Sequence, residues 1–128
     1  MTATPGGAVP RLHGITNCDT VKRARAWLAE RGAAHEFVDF KKAPPTAEQL
    51  RRWADGVGWE RLLNRQGTTW RRLSASEQAG AGVIDGALGL MQAQPSLIKR
   101  PVVEWPDGTV TVGFAPLEWA HRCGVSAD

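Results

Sequence analysis

The residue best placed to do chemistry is Cys18. It sits in Gly14-Ile-Thr-Asn-Cys-Asp-Thr-Val-Lys-Arg-Ala-Arg25, where a strand pattern hands over to a helix pattern. A helix start offers unpaired backbone N–H groups and the positive end of the helix dipole, and both favour an anion. A thiol held there ionises below the free value of about 8.5 and becomes a nucleophile. A buried, inert cysteine is the common alternative. The polar neighbours Asn17, Asp19 and Thr20 fit an exposed turn better than a core. Asp19 is expected to cap the helix and to point away from the sulfur. Residue 21 is valine, so there is no Cys-x-x-Cys pair, and any partner thiol must come from elsewhere. Cys123, far along the chain, reads as a packed or surface cysteine before it reads as a resolving thiol.

Arginines are the natural counterparts of a thiolate and its substrate. Arg100 precedes Pro101 at the opening of a strand, where a proline has no N–H to give to the ladder and a cis bond suits a tight turn. Arg100 can aim a two-donor fork at an oxyanion, although a lone arginine is by default solvated. Arg65, in Asn64-Arg-Gln-Gly-Thr68, lies in a glycine-containing loop that can close on an anion. Its neighbours Arg51, Arg52, Arg61, Arg71 and Arg72 are expected to be solvated. His13, His35 and His121 show no metal-ligand spacing and read as surface or strand-edge histidines. A minor possibility is that His13 tunes the nearby Cys18. No metal is expected.

The elements that must position these groups follow from periodicity and punctuation. Residues 9–15 read as a strand running into a turn. Val21, Ala24 and Leu28 mark one face of a helix, which Gly32 stops. His35 to Phe40 reads as a second strand, so the first forty residues form a βαβ unit with a parallel pair. Thr46 with Gln49 makes a capping box, with Gly56 and Gly58 ending that helix; Trp59 to Leu63 adds one turn. Residues 64–69 read as a polar loop. Ser74 with Glu77 is another capping box, and Ile84, Ala87, Leu88 and Met91 form a helical stripe closed by Pro95. Val102 to Trp105, the turn Pro106-Asp-Gly108 and Thr109 to Val112 make a hairpin. A helix opens at Pro116 and ends before Gly124. The order βαβ, helical middle, ββα predicts an α/β chain of thioredoxin-like topology around one mixed sheet. It is read as one domain over 9–124 with a helical insertion at about 46–94. In such a sheet Arg100 lies opposite the cysteine.

Composition narrows the functions. The chain has 128 residues, 42% hydrophobic and 23% charged, which suits one ordinary core. The formal net charge is +3, and 12 of the 16 cations are arginine, which suits an anionic small molecule as well as nucleic acid. No basic stripe interleaved with aromatics argues for direct nucleic-acid binding. The six tryptophans read as packing residues, and no apolar run approaches the roughly 20 residues a membrane helix needs. Residues 1–8 lack the charged and apolar regions of a secretory signal and read as a flexible lead. Two cysteines are too few for a disulfide scaffold. The expected setting is a reducing cytoplasm.

Four ordered motifs carry a resemblance: the Cys18 segment, Leu63-Asn-Arg-Gln-Gly-Thr-Thr-Trp-Arg-Arg-Leu73, Gln94-Pro-Ser-Leu-Ile-Lys-Arg-Pro-Val102 and Val112-Gly-Phe-Ala-Pro116. Together they resemble the arsenate reductase (ArsC) / Spx family, most of all its YffB-like subgroup, over residues 9–123. The resemblance implies a thioredoxin-like fold and a single nucleophile, Cys18. It implies that Asn17, Arg65 and Arg100 bind an oxyanion, with Pro101 structural at the site. It implies glutathione as the thiol co-substrate, with no bound cofactor, and glutaredoxin as a partner that recycles the enzyme. A third family arginine is expected after the glycine of the last strand, where this chain has Phe114. Arsenate reduction is therefore expected to be slow or absent, and Phe114→Arg to raise it if the pocket is otherwise intact. The expected protein is a monomeric, glutathione-dependent reductase. The alternative is a non-enzymatic, Spx-like protein that binds RNA polymerase. Spx-type switches use a Cys-x-x-Cys pair that Val21 interrupts.

Overall fold

A computed structural model describes residues 9–127; the flexible lead expected over residues 1–8 lies outside them. The elements run β1 (Arg11–Gly14), α1 (Asp19–Glu30), β2 (Glu36–Asp39), α2 (Ala47–Val57), α3 (Trp59–Leu62), α4 (Thr68–Arg72), α5 (Ala75–Gly80) and α6 (Ile84–Ala93). A 3-10 turn (Pro95–Leu97), β3 (Val102–Glu104), β4 (Val110–Val112) and α7 (Pro116–Cys123) complete the chain. It divides into two units, Met1–Asp39 with Arg100–Asp128, and Phe40–Lys99.

The first unit holds a four-stranded sheet in the order β2-β1-β3-β4. β1 pairs parallel with β2 and antiparallel with β3, and β3 pairs antiparallel with β4. This is the thioredoxin-like βαβ-plus-ββα arrangement that the element order predicts. Side chains alternate along a strand, so Leu12 of β1 and Val103 of β3 share one face. They are buried with Val21, Ala24 and Leu28 of α1 and with Trp119 and Ala120 of α7. Aromatic rings fill this layer edge-to-face. Trp119 lies 5.5 Å from Trp105 and 6.2 Å from Trp27, centroid to centroid. Such pairs add about 0.5–1.5 kcal/mol each beyond the area they bury.

The ends of α1 explain its placement. At its C-terminus Gly32 adopts φ 65°, and the N–H groups of Gly32 and Ala33 bond back to the carbonyls of Ala29 and Leu28. That is the glycine stop expected from the sequence. At its N-terminus the expected capping by Asp19 does not occur. Cys18 itself occupies the N-cap in extended conformation, φ −144° and ψ 121°, and Asp19 is the first helical residue. An aspartate there still favours the helix through its dipole. The hairpin also forms as read: Gly108 takes φ 89°, and Asp107 Oδ1 accepts the Thr109 N–H at 2.9 Å.

The second unit is helical. Thr46–Gln49 and Ser74–Glu77 each close a reciprocal capping box, opening α2 and α5. Gly56 lies inside α2, and Gly58, at φ 91°, ends it. The loop expected over 64–69 is shorter, because α4 begins at Thr68. Two threonines and a tryptophan in its five residues are weak helix formers, so propensity does not announce it. The core here is Leu50, Trp53, Leu62, Met91, Leu97 and Ile98, all fully buried.

One contact ties the sheet to the reactive turn. A Cβ on Gly14, at the end of β1, would lie 2.8 Å from Val21 Cγ2 in the first turn of α1. Only a glycine lets the helix start close over the strand. Gly14→Ala is expected to cost about 1–3 kcal/mol, the usual penalty for overpacking. The double change Gly14→Ala/Val21→Ala should recover part of that loss. Urea melts of the three proteins check this; an unchanged midpoint in Gly14→Ala would remove the constraint.

Candidate active site

The reactive turn is built by three elements of the sheet unit. β1 delivers the chain to Asn17 and Cys18, α1 begins immediately after, and the strand beside β1 starts from Arg100 and Pro101. The Arg100–Pro101 peptide is cis, as the turn suggested. Pro101 is buried, and its carbonyl accepts the Gly113 N–H at 2.9 Å, which ties the start of β3 to the end of β4. Asn17 is exposed and Cys18 half-buried, so the sulfur is reachable from solvent.

The electrostatics favour a thiolate. Burial is the largest single influence on Cys18, and it pushes the pKa up. The N–H of Val21, the hydrogen bond and positive charge of Arg100, and the N–H of Thr20 together outweigh it. The net effect is a pKa below the ordinary thiol value. The thiol closes no formal capping hydrogen bond in the first turn. The two N–H groups act on it as oriented dipoles, as expected at a helix start. Asp19 is exposed and is not among the groups that move the sulfur's pKa.

Arg65 belongs to the helical unit, where it is exposed and its guanidinium lies 5.6 Å from the centre of the Trp70 ring. Its loop is shaped by Asn64, whose Oδ1 accepts the Gln66 N–H at 3.1 Å. His13 is corrected from a surface or strand-edge histidine to a buried one, only 2% exposed. β1 is an interior strand, and His13 Nε2 lies 2.9 Å from Glu104 Oε1. It is not among the groups that shift Cys18. His35 is half-buried, and burial together with the Arg25 charge pulls its pKa down despite a bond at the Ala33 backbone. His121 is exposed on α7. Among the described residues no cluster of three or more histidine, cysteine, aspartate or glutamate side chains could hold a metal ion.

Cys123 is a different thiol. It lines a cavity of about 270 Å³ with Val9, Pro10, Ala33 and Trp105, at the end of the sheet where β1 begins. Burial pushes its pKa up. Cys18 follows the opposite end of β1, and the three steps of roughly 3.3 Å from Arg11 to Gly14 alone separate the two ends by about 10 Å. A disulfide needs Cα atoms within about 7 Å. Cys123 therefore cannot resolve an adduct on Cys18 within this fold, in line with its reading as a packed cysteine.

The ArsC family model matches residues 13–121, from β1 to α7. The chain belongs to the ArsC family. A protein of Haemophilus influenzae is 34% identical over 108 residues, covering 84% of this chain and 93% of its own. The solved structure of the YffB protein is 44% identical, covers 90% of this chain and 99% of its own, and superposes with a TM-score of 0.83. An arsenate reductase (ArsC) related protein from Brucella melitensis is also 44% identical, covering 91% and 96%, with a TM-score of 0.72. The fold is thus the arsenate reductase-related, thioredoxin-like fold of the ArsC family. Among the described residues no helix is long and apolar enough to cross a membrane.

Two departures from the family pattern have physical settings. Val21, where Spx-type switches carry a second cysteine, is 1% exposed and packed under Gly14. Phe114, where a third arginine would stand, packs edge-to-face 4.9 Å from Trp119 and 6.1 Å from Trp27. Sequence reasoning missed that commitment, because Trp27 lies far along the chain on α1, and Trp119, five residues on, meets Phe114 only once α7 has formed.

The thiolate is directly testable. In a Cys123→Ser background, the pH dependence of iodoacetamide alkylation should show a midpoint below the free-cysteine value of about 8.5. Arg100→Ala should move that midpoint up, since it removes both a hydrogen bond and a charge from the anion.

Proposed function

We propose that this ArsC-family chain is a glutathione-dependent thiol reductase with Cys18 as its single nucleophile. The observation that carries the reading is Cys18 at the N-cap of α1, where the first N–H groups of the helix and Arg100 favour its thiolate. In the proposed reaction the Cys18 thiolate attacks one sulfur of a glutathione mixed disulfide. The S–S bond breaks, the other thiolate leaves, and Cys18 becomes disulfide-linked to glutathione. A second glutathione thiolate then attacks the glutathione sulfur of that adduct. Oxidised glutathione leaves, and Cys18 returns as a thiolate paired with Arg100. Over both steps, one mixed disulfide and one glutathione thiol become one free substrate thiol and one oxidised glutathione, and no other reductant is needed. A glutaredoxin could replace glutathione in the second step.

Arg100 serves three purposes in this scheme. It lowers the thiol pKa, it stabilises Cys18 as the leaving group in the second step, and its fork can hold an anionic substrate. Asn17, beside the sulfur, offers an amide to the same anion. Arg65 is assigned to anion binding by its place in the family's Asn-Arg-x-Gly loop, with Asn64 shaping that loop. Pro101 fixes where Arg100 leaves the sheet. Because Cys123 is out of reach, the scheme uses an external thiol to resolve the adduct.

Arsenate fits this site poorly. Two family arginines, Arg65 and Arg100, are present to neutralise an oxyanion that carries nearly two charges, and Phe114 adds none. Phe114 is moreover a packing residue. Phe114→Arg would give up two aromatic contacts worth about 0.5–1.5 kcal/mol each. The expected outcome is a less stable protein with no gain in arsenate turnover. This replaces the gain expected from sequence, and robust arsenate reduction by the wild type would contradict it.

The central experiment is intact-mass spectrometry after exposure to oxidised glutathione. One glutathione adduct is expected, mapped by peptide analysis to Cys18 and removed by reduced glutathione. An adduct confined to Cys123, or none, would defeat the proposal. Arg100→Lys keeps the charge but loses the planar fork. It should weaken transition-state binding by roughly the 1.5–3 kcal/mol of a charge-assisted hydrogen bond, read as a fall in kcat/KM.

A further inference from the structure

We propose that His13 and Glu104 are positioning residues: their part-buried hydrogen bond locks β1 against β3 and thereby holds Cys18 in reach of Arg100. The inference rests on the reading of Cys18 as an Arg100-stabilised thiolate. It assigns a role to His13, the one buried polar or charged side chain among the described residues, which the reaction scheme leaves unused.

The two groups of the site hang from neighbouring strands. Cys18 follows β1 by four residues, and Arg100 precedes β3 by two. Their separation is therefore set by how β1 and β3 lie along one another. The backbone ladder between them is short: Arg11 pairs with Glu104, Leu12 with Val103 and His13 with Val102. A one-residue slip in so short a ladder would carry the cysteine turn along the sheet and away from Arg100. The His13–Glu104 bond is not a rung of this ladder. It runs diagonally, from the residue opposite Val102 to the residue opposite Arg11, at 2.9 Å. A diagonal bond of that length closes in one register only, and it resists shear that the rungs resist weakly.

Its cost argues for a purpose. His13 is 2% exposed and the Glu104 side chain 16% exposed. Taking such groups out of water is expensive, and well-packed apolar residues of similar size often serve stability as well or better. The adjacent β3 residues Val102 and Val103 are apolar and buried, so an apolar pair would suit the strand. What apolar side chains cannot supply is a direction-specific tie, and fixing register is the best-attested use of a buried polar pair.

The test compares three proteins in the Cys123→Ser background: the parent, His13→Leu/Glu104→Leu and Glu104→Gln. Circular dichroism and a cooperative melt report folding, and the alkylation midpoint of Cys18 reports the site. The double-leucine protein should fold, yet its midpoint should rise toward that of Arg100→Ala. Alkylation at neutral pH should slow, by up to about threefold for each half pH unit that the midpoint rises. Glu104→Gln keeps an acceptor for His13 and should keep the parent midpoint. Added to Arg100→Ala, the double-leucine change should move the midpoint no further, because it acts through Arg100. Should the double variant fail to fold, Glu104→Met, which changes one partly exposed side chain, is read by the same criterion. A folded double-leucine or Glu104→Met protein with the parent midpoint overturns the proposal alone. A parent midpoint at the ordinary thiol value overturns the thiolate reading, and this proposal with it.

Discussion

The attraction between the Arg100 guanidinium and the Cys18 sulfur is the interaction on which the rest of the site depends. Burial works against the thiolate, and the groups that prevail over it are the arginine and the first N–H groups of α1. Both sources require the strand ends to be correctly placed. β1 must hand over to α1 at Cys18, and β3 must start beside β1 directly after Arg100. Gly14 allows the first condition by admitting Val21 against the strand end. The β1–β3 pairing supplies the second. A cysteine moved one residue along would lose the N-cap position, and an arginine moved one residue would leave the other side of the strand.

Most of the fold was legible because its signals are local. Two capping boxes, the Pro106-Asp-Gly108 turn and the glycine stops after α1 and α7 each form from residues a few positions apart, and each behaves as its chemistry dictates. Cys18 and Arg100 were legible for a related reason: one lies at a strand-to-helix junction, the other beside a strand-opening proline. What escaped was either marginal or distant. α4 is one short turn of weak helix formers, set by its surroundings rather than by propensity. Asp19 looked like a cap because aspartate is a good one, but the chain enters the helix one residue earlier, through the cysteine. His13 looked like a surface residue because its partner, Glu104, stands 91 positions away and becomes its neighbour only when β3 inserts beside β1.

Phe114 shows how a family's polar site can be converted without leaving a gap. Its ring joins Trp27 and Trp119 in one edge-to-face cluster that also braces α1 against α7. The residue that stands where the resemblance expects a cation adds instead to the core of the sheet unit. A cation at that one position would therefore take apart the ring cluster between α1 and α7 as well as add a charge.

The placement of the two cysteines sets the kinetic order of the protein's oxidation. A chain with two thiols in reach closes its own disulfide at a rate independent of dilution. Here Cys18 and Cys123 lie at opposite ends of β1, so that unimolecular route is shut. Thiol release of a disulfide adduct on Cys18 would then be second order, its rate proportional to the concentration of a thiol outside the molecule. Under the proposed chemistry, the lifetime of such an adduct would be set by the surrounding thiol pool and not by a second thiol of the chain. In a depleted pool the adduct would persist, and the fraction of protein carrying it would follow the pool's supply.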